Sequence, residues 1–114
     1  MINTGKTGEE IAAEYLLLEG YEILERNVHL GHFEIDLIVR KGRTLVFVEV
    51  KSTGGRYSAE DRVTKKKRRF VKEAAERYLA SHRIPDELES VRLDVIIVRF
   101  SKGDFVLMHY VDAF

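Results

Sequence analysis

Residues 33–52, FEIDLIVRKGRTLVFVEVKS, are among the most apolar of a 114-residue chain, yet they place Glu34, Asp36, Glu49 and Lys51 among those apolar residues. Two runs rich in Ile, Val, Leu and Phe flank the pair Gly42-Arg43, a pattern typical of a β-hairpin with a two-residue turn. We expect a type II′ turn, because this turn takes glycine at its first central position. Lys41 then faces Thr44, and the register of the whole hairpin follows from that pair.

This register gives the hairpin one wholly apolar face, which we expect to be core. Its facing pairs are Ile35 with Val50, Leu37 with Val48 and Val39 with Val46. The other face pairs Arg40 with Leu45, Ile38 with Phe47, Asp36 with Glu49 and Glu34 with Lys51. Facing side chains of a sheet have Cβ atoms about 4.5–5.5 Å apart. At that distance two carboxylates repel each other by on the order of 3 kcal/mol if the effective dielectric constant is about 20.

Three interpretations of the facing carboxylates remain open from the sequence. Lys51, opposite Glu34 and diagonal to Glu49, can neutralise the cluster together with Arg40. One carboxyl group can instead stay protonated, its pKa raised by its neighbour. A divalent cation can also bridge Asp36 and Glu49, and Mg²⁺ suits that role because it takes one or two carboxylates plus waters and substrate phosphate.

Lys51 adds chemistry to the third interpretation. It lies two residues beyond Glu49 and so points to the same side of the strand. An ammonium group there can orient an attacking water or stabilise the charge that develops on phosphorus. A metal site of this kind has the parts needed for hydrolysis of a phosphodiester.

The rest of the chain predicts helices packed on a mixed sheet. Residues 7–19 have helical periodicity, with Thr7 as N-cap, Glu10 as its partner in a capping box and Gly20 as the stop. A strand follows at 21–30, and after the central hairpin come a helix at 62–81 and a second hairpin at 91–100 and 105–111. We expect one domain over residues 1–114, with the order helix, three strands, helix, two strands.

Composition excludes several classes of function. Nineteen basic and nineteen acidic residues cancel, which argues against nucleic-acid binding through bulk positive charge. The chain has no cysteine, so a thiolate metal site and a cysteine nucleophile are excluded. No apolar run approaches the ~18–20 residues that span a bilayer, and the polar start is unlike a signal peptide. We therefore expect a cytoplasmic protein with no membrane partner.

The order Asp36, hairpin, Glu49, Val50, Lys51 resembles the motif of the PD-(D/E)xK nuclease superfamily. The segments GEEIAAEYLLLEGYEILERN, EIDLIV, LVFVEVKS, VTKKKRRF, AAERYL, RLDVIIV and HYVDAF, in this order, look like the YraN family of small bacterial proteins. This resemblance covers nearly the whole chain. It implies a restriction-endonuclease-like α/β fold, a mixed central sheet flanked by helices in the order α-β-β-β-α-β-β. It also implies a metal-dependent nuclease that acts on DNA, including branched or damaged DNA, and a homodimer as in related Holliday-junction resolvases.

The resemblance also assigns roles to individual residues. It implies that Asp36, Glu49 and the backbone carbonyl of Val50 hold Mg²⁺ or Mn²⁺, and that Lys51 is catalytic. Glu9 matches a glutamate on the first helix of related resolvases that contributes to the site. The arginine that often follows the motif lysine is missing here, and Arg56 is the candidate to replace it as a phosphate contact.

The basic run TKKKRR, residues 64–69, is a candidate surface for DNA. Lys65 and Lys66 each share a helix face with Arg69, and Lys67 lies between them in the run. A solvated helix surface is the alternative. If this run works without cleavage at the carboxylates, the protein is instead a non-catalytic nucleic-acid-binding module with a nuclease-like fold. No metal-ligand spacing links the four histidines, and we expect Asp94, in an apolar strand, to be a buried structural acid paired with a basic residue.

Overall fold

The computed structural model describes residues 5–54, 65–82 and 88–113. Its elements are α1 (Gly8–Leu18), β1 (Glu22–Leu30), β2 (Phe33–Lys41), β3 (Thr44–Gly54), α2 (Lys65–Ser81), β4 (Ser90–Ser101) and β5 (Asp104–Tyr110). The predicted fold class, a mixed sheet flanked by helices in the order α-β-β-β-α-β-β, is confirmed. Neither described helix is long and apolar enough to cross a membrane.

The five strands form one sheet in the order β1-β2-β3-β4-β5. Strands β3 and β4 are parallel, and the other neighbouring pairs are antiparallel. Parallel neighbours need a long crossover connection, usually a helix, and here α2 lies in that connection. The central hairpin β2–β3 is therefore held between β1 on one side and β4 on the other.

Helix α1 begins as the sequence predicts. The Thr7 side chain accepts a hydrogen bond from the Glu10 amide at 3.1 Å, and the Glu10 carboxylate accepts one from the Thr7 amide at 2.7 Å. This capping box satisfies two amides that the helix itself leaves without partners. The chain turns out of the helix at Gly20, whose φ of 94° favours glycine.

The hairpin register is confirmed from the turn as far as Leu37 and Val48. Gly42 has a φ of 61°, as the first central residue of a type II′ turn requires, and the pairs run from Lys41–Thr44 to Leu37–Val48. The pairing of β2 with β3 stops there. The prediction that Ile35 shares a face with Leu37 is wrong, because Ile35 packs in the core on the other side of the sheet. Strict alternation along β2 is therefore broken at Asp36.

Both faces of the sheet are buried, one by each helix. The α1 side buries Leu37, Val39, Val46, Val48, Ile96 and Val98 against Ile11, Ala12, Ala13 and Leu16. The α2 side buries Ile35, Ile38, Leu45 and Phe47 against Ala74, Ala75 and Tyr78. The hairpin face that carries Ile38 and Phe47 is thus also core near the turn. Phe70 of α2 is 44% exposed.

Asp94 anchors the α1 side of the sheet. It is fully buried and accepts hydrogen bonds from Arg92 Nε (2.9 Å) and Nη2 (3.0 Å), His109 Nε2 (2.7 Å) and the Asp112 amide (2.9 Å). Burial alone raises a carboxyl pKa, but these bonds outweigh it and hold the pKa of Asp94 below its ordinary value. The expected structural acid paired with a basic residue is confirmed.

The same network reaches Tyr15 of α1 and Tyr21, which lies shortly after the end of this helix. The Tyr15 hydroxyl lies 2.7 Å from His109 Nδ1, and Arg92 Nη2 donates to the Tyr21 hydroxyl at 2.7 Å. Because the Asp94 carboxylate only accepts, His109 donates from Nε2, which leaves Nδ1 to form the hydrogen bond with the Tyr15 hydroxyl. The network therefore ties α1 to β4 and β5.

We predict that Asp94→Ala lowers the free energy of unfolding by about 3–5 kcal/mol, because it leaves the Arg92 charge without its buried partner. Since the pKa of Asp94 is lowered in the fold, its contribution exists above the ordinary carboxyl pKa and is lost as the pH falls through the folded pKa. Urea denaturation between pH 3 and 7 measures both effects. Glu89→Ala, which breaks the exposed ion pair with Arg43, is the control and costs at most about 1 kcal/mol. Equal losses in the two variants would contradict the role assigned to Asp94.

Candidate functional site

Asp36 lies where β2 and β3 stop pairing. Its Oδ2 accepts a hydrogen bond from the Val50 amide at 2.7 Å, so a side chain takes the place of a backbone acceptor. Only 8% of the Asp36 surface is exposed. The resemblance implies that the Val50 carbonyl is a metal ligand. The structure shows that the Val50 amide fixes the orientation of the Asp36 carboxylate. The carbonyl as a metal ligand stays a prediction.

Glu49 and Glu9 both act on Asp36. The pKa of Asp36 is raised to about 7, mainly by burial and also by the negative charges of Glu49 and Glu9 and by a hydrogen bond between the Asp36 and Glu49 carboxyl groups. The hydrogen bond from the Val50 amide opposes this rise. The sequence-predicted residues Asp36, Glu49 and Glu9 are thus brought together.

Glu9 reaches the site because α1 approaches β3 very closely at Gly8. A Cβ atom at Gly8 would lie 1.8 Å from Ser52 Oγ and 3.1 Å from Ser52 Cβ. With serine at position 52, a side chain at position 8 would overlap it, so glycine lets the helix start this close to the strand. The close approach places Glu9, in the first turn of α1, beside the end of the paired hairpin.

Lys51 lies on the same side of β3 as Glu49. Val48 and Val50 both pack on the α1 side of the sheet, so the alternating residues Glu49 and Lys51 point to the α2 side. The expected pair of Glu34 with Lys51 is not among the pairs of β2 with β3, which stop at Leu37 and Val48. Glu34 instead contacts His29 of β1, with 3.3 Å between Oε2 and Nε2.

The geometry discriminates among the three interpretations of the carboxylates. Neutralisation by nearby cations would lower the pKa of Asp36, but burial, followed by the charges of Glu49 and Glu9, outweighs any such effect and raises that pKa. Arg40 donates to the Gly42 carbonyl at the turn end of the hairpin. The protein without a ligand therefore agrees best with a protonated Asp36, and a cation that displaced this proton would relieve the same repulsion.

The donor set fits a hard divalent cation of the magnesium type. Carboxylate oxygens are its preferred protein ligands, and it needs only one or two of them when water and phosphate complete the shell. Among residues 5–54, 65–82 and 88–113, no group of three or more His, Asp or Glu side chains is arranged to hold a metal. Asp36 and Glu49 would therefore hold the ion without a third side chain from these described residues.

The predicted DNA contacts are placed only in part. Lys65, Lys66 and Lys67 belong to the first turn of α2, and Arg69 follows them with an exposed side chain. Arg56 lies outside the described residues. Three of the histidines have local partners: His29 contacts Glu34, His82 stacks on Tyr78 at 3.9 Å between ring centroids, and His109 belongs to the Asp94 network.

The fold and the site together define a mixed α/β protein whose central hairpin gathers three carboxylates where its strands separate. The chain belongs to uncharacterised protein family UPF0102, whose model matches residues 8–98, and this confirms the resemblance to the YraN family.

Curated relatives match nearly the full length of the chain. A UPF0102 protein of Syntrophomonas wolfei is 40% identical over 112 residues, 96% of each chain. One of Frankia casuarinae is 42% identical over 113 residues, 96% of this chain and 94% of the relative. The solved structure of Pyrococcus furiosus SfsA in complex with Ca²⁺ is 17% identical, with a TM-score of 0.40, and the match covers 90% of this chain and 60% of that one.

We predict that Gly8→Ala destabilises the fold by about 1–3 kcal/mol, because the added methyl group overlaps Ser52. Ser52→Ala alone has a small effect, and the double variant Gly8→Ala/Ser52→Ala recovers most of the loss, since the nearest overlapping atom is removed. Thermal and urea denaturation of the four proteins of this cycle measure the coupling. Additive effects would show that the two residues do not determine the approach of α1.

We predict that Asp36→Asn stabilises the metal-free protein above pH 7. The raised pKa means that the folded state holds a proton between about pH 4 and pH 7 that the unfolded chain has released, so wild-type stability falls as the pH rises through this interval. Asparagine can still accept from the Val50 amide but has no charge to repel Glu49. We expect a gain on the order of 2 kcal/mol at pH 8 and little difference at pH 4.

The measurement is urea denaturation from pH 4 to pH 8.5 in the presence of EDTA, with Glu34→Gln as the control for loss of one exposed negative charge on β2. A pH dependence of Asp36→Asn that follows that of the wild type would contradict the raised pKa.

Proposed function

We propose that the protein is a divalent-metal-dependent nuclease that hydrolyses DNA phosphodiester bonds, with branched or damaged DNA as substrate. Asp36 and Glu49 hold Mg²⁺ or Mn²⁺, with the Val50 carbonyl as a further ligand. The observation that supports this best is the gathering of the half-buried Glu49 and Glu9 around the buried Asp36, whose pKa is raised to about 7. Burial of a carboxylate beside two negative charges is costly to the fold unless a ligand offsets the cost.

A bound divalent cation supplies a Lewis acid that polarises the phosphodiester and lowers the pKa of a bound water. Residues of the chain do the rest. The Val50 amide fixes the rotation of the Asp36 carboxylate through the 2.7 Å hydrogen bond. Lys51, on the same side of β3 as Glu49, orients the attacking water or stabilises the negative charge on phosphorus. Glu9 adds a further negative charge beside the two ligands.

A second candidate function is nucleic-acid binding without cleavage. The observation that favours it is that the described residues offer no third side-chain ligand for a metal. In this case Lys65, Lys66, Lys67 and Arg69 at the start of α2 bind the phosphates, and the acidic cluster does not enter the reaction of any substrate.

Calorimetric titration of Mn²⁺ tests the site before a substrate is known. At pH 8 we expect one binding event in the wild type and none that is measurable in Asp36→Asn or Glu49→Gln, because each variant loses a charged ligand. Glu34→Gln, which removes an exposed negative charge from the same hairpin, is expected to bind as the wild type does. Unchanged Mn²⁺ affinity in Glu49→Gln would contradict the assigned ligands.

Cleavage is tested on labelled flaps, junctions, single strands and duplexes with Mg²⁺ or Mn²⁺. We expect the wild type to nick at least one of these, Asp36→Asn to be inactive, and Lys51→Met to lose about 10²–10³-fold in rate while still binding Mn²⁺. DNA binding that survives in Asp36→Asn, with no cleavage by the wild type under either metal, would instead establish the binding module.

A further inference from the structure

The sheet continues past the candidate site on its α2 side. From β3 across β4 to β5, the paired rows are Glu49–Val95–Tyr110, Lys51–Ile97–Met108 and Thr53–Arg99–Val106. Glu49 and Lys51 face the α2 side, as shown above, and Thr53 follows by alternation. His109 contacts Tyr15 of α1, so its neighbours Met108 and Tyr110 face the α2 side as well.

Helix α2 packs mainly over β1, β2 and the first part of β3. Val95 and Ile97 of these rows are buried, at 3% and 2% exposure, but they do not belong to the core cluster that α2 covers. At the outer edge Tyr110 is 42% exposed and Val106 is 49% exposed. The Tyr110 hydroxyl lies 3.6 Å from Met108 Sδ, so these two side chains lie side by side. We call Thr53, Arg99, Met108 and Tyr110 the β4–β5 platform.

Two polar groups of this platform have no partner among the described residues. Among the residues that the structure describes, none forms a hydrogen bond or an ion pair with the Arg99 guanidinium. The Thr53 hydroxyl is buried and, within those same residues, has no hydrogen-bond partner. Arg99 and Thr53 are neighbours in the β3–β4 register. A buried polar group without a partner is rare in a folded protein, and a missing ligand is one recognised reason for it.

We propose that the β4–β5 platform binds an unpaired nucleotide of single-stranded DNA next to the phosphodiester that is cleaved. Arg99 neutralises the neighbouring phosphate, and Tyr110 and Met108 receive the base. The inference rests on the proposed function, which places the cleaved bond at Asp36, Glu49 and Lys51. It adds a substrate class, DNA with an unpaired segment beside the cut.

The spacing of residues along β3 agrees with the binding of an extended DNA strand. Lys51 and Thr53 are two residues apart on one face of β3, about 6.6 Å along the strand, which is comparable to the spacing of successive phosphates in an extended DNA strand. An exposed aromatic ring binds any base through its face and so needs no sequence preference. Bases within an intact duplex are stacked on their neighbours and cannot occupy such a surface.

Fluorescence anisotropy with a labelled single-stranded oligonucleotide tests the platform in Ca²⁺ and, separately, in EDTA. We expect Arg99→Gln to lower the affinity about three- to tenfold and to reduce the slope of log affinity against log salt by about 0.7, the value for one phosphate of a single strand. Arg99→Lys is expected to restore most of both. Tyr110→Ala is expected to lower the affinity on the order of tenfold, mainly for single strands.

Arg26→Gln is the matched control, because it removes the same charge from an exposed residue of β1, the opposite edge strand. Wild-type affinity in both Arg99→Gln and Tyr110→Ala, or equal losses in Arg99→Gln and Arg26→Gln, would overturn the proposal. A dimer that dissociates in Tyr110→Ala with unchanged DNA affinity would assign this face to a second copy of the chain and overturn it too.

The two proposals fail in different ways. If the wild type cuts DNA but the platform variants bind and cut as it does, the platform is wrong and the nuclease stands. If single-stranded DNA binds with the expected dependence on Arg99 but no metal supports cleavage, the platform stands as a binding surface and the nuclease is wrong.

Discussion

The hydrogen bond from the Val50 amide to the Asp36 carboxylate is the interaction on which the candidate site depends. Along β2 and β3 a backbone carbonyl would normally accept from this amide, but a side chain accepts instead. This substitution lets β2 separate from β3 without leaving the amide unsatisfied. It also holds Asp36 in a buried position beside Glu49. Burial and the repulsion between the negative charges there both destabilise the charged form of Asp36.

Two further contacts fix the position of α1 beside the point where β2 and β3 separate. Gly8 lets α1 start against Ser52, and the Tyr15–His109–Asp94 chain of hydrogen bonds ties the middle of the helix to β4 and β5. A helix fixed at two points has little freedom to translate or rotate. The charge of Glu9 therefore acts on Asp36 from a defined position and not from a mobile helix end.

The sequence predicts the hairpin register well and the break at Asp36 not at all. The glycine of the turn and the alternation of apolar residues determine the pairs from Lys41–Thr44 to Leu37–Val48. The segment EIDLIV continues to alternate through Asp36, so periodicity gives no sign that a carboxylate replaces a backbone acceptor. The partnership of Asp94 with His109 was equally hidden, because it depends on the β4–β5 register and on the position of α1.

The polar groups on the two faces of the sheet differ in how completely they are hydrogen-bonded. This difference distinguishes the groups that stabilise the fold from those of the candidate sites. On the α1 side Asp94 has a partner for each oxygen, and Arg92, His109, Tyr15 and Tyr21 complete the network. Beside the opening of the hairpin and along the β4–β5 platform, polar groups repel each other or lack partners in the described chain. Satisfied buried groups stabilise a fold, whereas unsatisfied ones lower stability and persist where a ligand offsets the cost. The polar groups of the α1 side therefore serve stability, and those near Asp36 and Arg99 are the ones a ligand would use.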